Sequence, residues 1–162
     1  MSDIRVIKFQ TIHALDILER NIRERDIWLT VIPDWNKVIE GWEKGGPAYT
    51  LVVDGNIVGC AGVVLFPYNH GEAWALLSSL FYKNVKTAYR AIKEGLSKII
   101  KEHHLIRVQS LACPTSEAAQ RFLKHLGFKR EGLLESYGPK GEDFIMFGRA
   151  VKKEARWKAT IS

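Results

Sequence analysis

The sequence predicts an α/β domain, a mixed β-sheet of about six or seven strands flanked by about four helices. Three observations predict it. Two β-rich runs, 48–53 and 56–66, meet at Asp54-Gly55, a dipeptide suited to a two-residue type I′ hairpin turn. A long helical stripe from Val85 to His103 then separates two apolar strands, as a parallel crossover requires. A shorter helix ending at Gly127 leads into a final pair of strands.

In chain order, Asp3–Gln10 alternates loosely around Ile4, Val6 and Phe9 and reads as a first strand. Thr11 is placed to cap a helix running to about Arg25, with Ile12, Leu15, Leu18 and Ile22 on its inner face. Pro33-Asp34 opens a second helix, where Trp35, Val38, Ile39 and Trp42 fall at helical spacing and Gly45-Gly46-Pro47 makes the stop. After the hairpin and a Pro67–Gly71 loop, Glu72–Ser79 is an apolar strand. The long helix carries Val85, Ala88, Tyr89, Ile92, Leu96, Ile99 and Ile100 as one stripe. Ile106–Cys113 is a strand, and Ser116–His125 is a helix with Ala119, Phe122, Leu123 and Leu126 inward. Strands over about 129–136 and 143–151 follow, joined by Gly138-Pro139-Lys140-Gly141. The order is β-α-α-β-β-β-α-β-α-β-β. It reads as one domain over 1–151, followed by a basic tail over 152–162 that holds Lys152, Lys153, Arg156 and Lys158.

Lysine and arginine total 24 against 18 acidic residues, so the chain carries +6 and favours anionic partners. No helix-turn-helix, zinc-finger or RNA-recognition signature directs that charge towards nucleic acid. No apolar run approaches the length of a membrane span, and the N-terminus lacks the regions of a signal peptide, so cytoplasmic residence is the default expectation. Cys60 and Cys113 are too few for a disulfide framework and read as buried strand thiols. His70, His103 and His104 lack metal spacing and read as surface or loop residues.

The run from Ser116 to Gly132, with Leu126-Gly127-Phe128 and then Arg130-Glu131-Gly132, resembles the C-terminal signature of the GNAT superfamily of N-acetyltransferases. The subgroup that acylates ribosomal-protein N-termini has a similar run. With the element order, the resemblance spans about Arg5 to Val151. A narrower likeness is to short acetyltransferase-like proteins of tailed phages, carried by Trp74-Ala75-Leu76-Leu77, Arg90, the Leu-Gly-Phe run and Tyr137-Gly138-Pro139-Lys140-Gly141. It would place the protein in the cytoplasm of a host cell.

The resemblance implies acetyl-CoA as acyl donor and an unidentified amine of a protein or small molecule as acceptor. A homodimer is one option for assembly. In the family a loop of pattern Arg/Gln-x-x-Gly-x-Gly/Ala wraps the pyrophosphate. Lys83-Asn84-Val85-Lys86-Thr87-Ala88 overlays it, with Lys83 for the first residue, Lys86 for the first glycine and Ala88 as an accepted last residue. A Cβ at Lys86 would crowd a phosphate held by backbone. Lys83, Lys86, Arg90 and Lys93 would then hold it by side chains, and a solvated helix face is the alternative reading. Ser78 falls where a strand residue bonds the pantetheine arm through its backbone.

The reaction needs a base, an oxyanion donor and an acid. Leu123 stands where family members often place an acidic tyrosine. Ser116 stands where an asparagine is common and also reads as a helix cap. Glu72 resembles the position of a carboxylate base, and Ser79 and Tyr137 are candidate hydroxyls near the cleft. Each also has a structural reading: an exposed strand-end acid, a strand serine and a packing tyrosine. Trp28, Trp35, Trp42 and Trp74 read as packing or as an acceptor wall. Leu123 and the lost glycine keep a second function open, a catalytically degenerate GNAT-like protein serving as a phage or host interaction module.

Overall fold

The computed structural model describes residues 1–20 and 33–151. The strands are β1 (Ile4–Lys8), β2 (Ala48–Val53), β3 (Asn56–Phe66), β4 (His70–Leu77), β5 (Arg107–Ala112), β6 (Lys129–Leu134) and β7 (Phe144–Ala150). The described α-helices are α1 (Thr11–Arg20), α2 (Trp35–Gly45), α3 (Val85–Glu102) and α4 (Glu117–His125), with a 3-10 turn at Ser79–Asn84 before α3. Residues Ile22, Arg25 and Trp28 and the basic tail lie outside the described residues.

One sheet runs in the order β1-β2-β3-β4-β5-β7-β6. Every neighbouring pair is antiparallel except β4 and β5. The β2–β3 hairpin forms as its turn chemistry predicts, since Asp54 (φ 50°) and Gly55 (φ 78°) both take the positive φ of a type I′ turn.

Side-chain alternation divides the core into two layers. On one face of the sheet, Leu96 and Ile99 of α3 and Leu123 of α4 pack with Val63, Val108 and Phe147. On the other, Ala14 and Ile17 of α1 and Ile39 of α2 pack with Cys60 and Leu76. The α1 stripe is therefore rotated from the predicted one: Ala14 and Ile17 are fully buried while Ile12 is 66% exposed. Thr11 does not cap α1; its hydroxyl bonds Glu43 of α2, and the His13 ring instead accepts the Gln10 N–H. α2 opens at Pro33-Asp34 as predicted, and Asp34 caps it by accepting from Lys37 N.

The C-terminal third forms as the periodicity predicts. Ser116 caps α4 through Ala119 N, Gly127 (φ 90°) ends it, and Phe128 N returns to Leu123 O at 3.0 Å. This closing turn drives Phe128 into the core at 2% exposure. The Tyr89 hydroxyl donates to His125 O at 2.9 Å and ties α3 to the end of α4.

Candidate acyl-donor cleft and acceptor face

β4 and β5 pair over three residues only: His70 with Arg107, Gly71 with Val108, and Glu72 with Gln109. Beyond that point β4 stays on β3 as far as Leu77, while β5 stays on β7 as far as Ala112. The two parallel strands thus separate into a V. Ser110 stands at its apex and donates its hydroxyl to Ala73 O at 3.0 Å. Ala73 therefore faces β5, and by strand alternation so do the N–H and C=O groups of Ala75 and Leu77, which among the described residues have no strand to pair with on that side. An extended chain bearing amides can supply the missing partners.

Below the V lies an apolar cavity of about 120 Å³, walled by Ala73, Ala75, Leu77, Ser110, Phe122 and Leu123. Small residues on α3, notably Ala91 and Gly95, keep that helix from filling it.

At the open end of β4 the chain turns through Ser78. This serine is fully buried. Its N–H bonds Val58 O, its carbonyl accepts from Phe81 N, and its hydroxyl lies 2.9 Å from Val58 O and 3.0 Å from Ile57 O. The hydroxyl also accepts the Leu80 N–H and so caps the 3-10 turn. Every polar group of Ser78 is thus engaged within the fold, and the groups facing the V belong to Ala75 and Leu77.

The 3-10 turn delivers the chain straight into α3. Asn84 precedes the helix, but its side chain turns back to Leu80 O at 3.0 Å and makes no cap. The start of α3, which has no side-chain cap, lies at an open groove lined by Tyr82, Lys83, Asn84, Val85, Lys86 and Thr87. Lys86 has no positive φ, so this turn is built without the conformation that would demand glycine. Lys83, Lys86, Arg90 and Lys93 are exposed around it, and Lys93 Nζ lies 6.0 Å from the Tyr89 ring. Ala88 is buried beneath, against Leu51, Val58 and Phe81. The positive end of the helix dipole and the lysines beside it suit this groove to an anion.

The opposite face of β4 carries Glu72, Trp74 and Leu76. Trp74 stacks on Trp42 (4.1 Å, 5°) and meets Phe9 edge-on, while Trp35 packs edge-on to Trp42. Trp74 Nε1 is a buried donor without a partner among the described residues. Burial pushes the Glu72 carboxyl above its ordinary range, and a hydrogen bond from Gln109 opposes that rise. Nearby, His13 Nδ1 lies 2.8 Å from the buried Thr50 hydroxyl, which is 3.4 Å from Cys60 Sγ. Burial lowers the His13 pKa, and it pushes the Cys60 thiol up to about 12, leaving that thiol inert.

Other sequence candidates sit apart from these groups. Ser79 is exposed on the 3-10 turn at the mouth of the V. Tyr137 is 55% exposed in the β6–β7 loop, its ring edge-on to Phe144. That loop lies at the same open end, because the start of β7 pairs with the end of β5. Ser116 uses its oxygen as a cap. Leu123 is core at 9% exposure. Cys113, expected buried in a strand, lies just past β5, half-buried, with Sγ 3.1 Å from the Thr115 hydroxyl. Sequence reasoning missed Ala75, Leu77, Gln109 and Arg107; the signal for the last two was their alternation on a strand flanking Glu72.

This architecture is the fold of the GNAT acetyltransferases. The chain superposes on the ribosomal-protein-S5-alanine acetyltransferase of Vibrio fischeri with a TM-score of 0.70, at 20% identity over 94% of this chain and 98% of that one. It also superposes on a ribosomal L7/L12 alpha-N-protein acetyltransferase in complex with coenzyme A (0.69; 14%; 91% and 94%). A third match is a GNAT family acetyltransferase of Elizabethkingia anophelis with acetyl-CoA bound (0.65; 13%; 91% and 98%). No protein-family model matches the sequence, and no curated protein matches it.

Proposed function

We propose that the protein is an acetyl-CoA-dependent N-acyltransferase that moves an acetyl group to an amine of a protein or small molecule. The observation that carries this reading is the V between β4 and β5, whose unpaired backbone leads to the uncapped, cation-ringed start of α3. A long ligand with amides along its arm and phosphates at its end matches both features. Acetyl-CoA is such a ligand, and it has been seen bound in one of the structures named above. The backbone of Ala75 and Leu77 would hold its amides. The first-turn amides of α3 with Lys83, Lys86, Thr87 and Arg90 would hold its phosphates, with Ala88 packing behind and Ser116 holding α4 in place. When bound, it supplies a thioester acyl group that an amine can take with release of the thiol.

Glu72 takes the proton from the acceptor amine, because its burial keeps the carboxyl basic enough for that task. Ser79 and Tyr137 are the hydroxyls that reach the mouth of the V to donate to developing negative charge. Trp42 and Trp74 form the apolar wall of the acceptor side. The phage likeness rests on its sequence motifs alone.

A second reading, a GNAT-like interaction protein without turnover, is favoured by Leu123, which puts an alkyl group in the core where the family often has a hydroxyl. Thermal unfolding with about 1 mM acetyl-CoA, against desulfo-CoA and ATP, tests the first reading. At a Kd of about 10 µM saturation adds about 2.7 kcal/mol, a rise of roughly 5–10 °C. The expected result is such a rise with both CoA forms, larger than with ATP. No rise would overturn the assignment of the cleft, and a rise without acetylated product across amine and peptide panels would favour the second reading.

A further inference from the structure

We propose that Glu131, Arg107 and Gln109 form a positioning chain that fixes the Glu72 carboxylate on the acceptor face of the sheet. The inference rests on the reading of Glu72 as the base and adds Glu131 from the Arg-Glu-Gly run together with Arg107 and Gln109 of β5.

The chain crosses four strands. Glu131 sits on β6 at a register shift between Arg130 and Gly132. Between it and β5 runs β7, and the residue in the way is Gly148, paired with both Lys129 and Gln109. A Cβ on Gly148 would lie 2.4–2.6 Å from the Glu131 carboxylate atoms, so that carboxylate would have to shift. The missing side chain is therefore the saddle through which Glu131 reaches over β7.

There it meets Arg107 as a fork. Nη1 donates to Oε2 at 2.8 Å and Nη2 to Oε1 at 2.5 Å. Arg107 Nη2 also approaches Gln109 Oε1 at 3.5 Å. Because arginine only donates, it selects one of the two amide orientations of Gln109, with the oxygen towards Arg107 and the NH₂ towards Glu72. Gln109 is the register partner of Glu72, so the two side chains leave the same face of adjacent strands, where the amide acts to lower the Glu72 pKa against its burial. Reversing the amide would set its oxygen against the carboxylate.

Glu131 has a second effect. By pairing with Arg107 it offsets a positive charge two residues from Gln109, so the guanidinium orients the amide without stabilising the Glu72 anion. Among the described residues, other titratable groups on the elements of this face include His70 on β4, Cys60 on β3, Lys129 on β6, His13 and Asp16 on α1, and Glu43 and Lys44 on α2; Glu43 is held by Thr11. The facing residues of β3 add no charge.

The test is a carbon-detected NMR titration of the Glu72 carboxyl in the full chain without ligand. Glu131→Gln exposes the Arg107 charge and should lower the Glu72 midpoint by about half a pH unit. Gly148→Ala should follow it by displacing the same carboxylate. Gln109→Leu removes the donor and should raise the midpoint. Opposite shifts from Glu131→Gln and Gln109→Leu are the result expected, and midpoints unchanged in both would overturn the proposal. Should Glu131→Gln fail to fold, Gln109→Leu decides alone. With a working acceptor, Glu131→Gln should also move the acidic limb of kcat/KM to lower pH and leave the KM for acetyl-CoA unchanged. If Glu72→Gln retains full turnover, the base reading falls while the titration result stands independently.

Discussion

Over its first three residues β4 is held on both edges, by β3 and by β5; over its last five it is held on one. The closed end is specified by side chains from distant parts of the sequence: Glu72, Gln109, Arg107 and Glu131, with Gly148 making room. Among the described residues the open end is specified by backbone: the unpaired edge at Ala75 and Leu77, the turn capped by Ser78, and the start of α3 without a side-chain cap. Under the proposed function, chemistry on an acceptor falls to the first end and grip on a donor to the second. The difference predicts that the two ends fail differently when altered.

The largest effect is expected at the cradle. Reversing Lys86 and Arg90 to glutamate should abolish measurable acetyl-CoA binding, a loss of at least about a hundredfold, since two cations become two anions beside the first turn of α3. Neither side chain is buried, so melting of the free protein should stay within a degree or two. Calorimetric titration checks the affinity, and an unchanged Kd would remove the cradle from the cofactor site.

A smaller effect is expected where the open end is anchored. Ser78→Ala deletes a buried hydroxyl that caps the 3-10 turn and meets two β3 carbonyls. A cap of this kind is worth about 1–2 kcal/mol, or roughly 2–8 °C for a chain of this length. A thermal melt measures it. If the reading of the cleft holds, acetyl-CoA affinity should fall with it, because the same turn carries the chain into α3.

The two ends also differ in how legible they were. Secondary structure could be read wherever local chemistry decides it, as in the Asp54-Gly55 turn and the Ser116-to-Phe128 cap and closing turn. The face of α1 could not, because its apolar residues support two neighbouring stripes and only the packed sheet selects Ala14 and Ile17 over Ile12. Ser78, expected to meet the pantetheine arm through its backbone, instead commits its N–H, carbonyl and hydroxyl to the fold. A one-residue step along a strand turns its backbone groups to the opposite edge, and no composition signal marks that step. The Arg107–Glu131 pair was invisible for another reason: its partners are 24 residues apart and meet across β7.

The smallest effect is one of stability and comes from the closed end. Burial raises the Glu72 pKa in the folded chain above its unfolded value. A carboxyl with a raised folded pKa favours folding most below the unfolded pKa, and that advantage is lost as pH rises through the folded pKa. Above that window the wild-type protein keeps an ionised carboxylate in a half-buried site. Glu72→Gln relieves this and keeps the shape. The variant should therefore melt slightly above wild type at pH 8, and the gap should close as the pH is lowered through the Glu72 titration. Gain of stability with loss of acetyl transfer in the same variant is the pattern of a residue kept for chemistry at the expense of the fold. A variant less stable than wild type at pH 8 would instead make Glu72 a structural partner of Gln109, and the base would have to be sought elsewhere on the acceptor face.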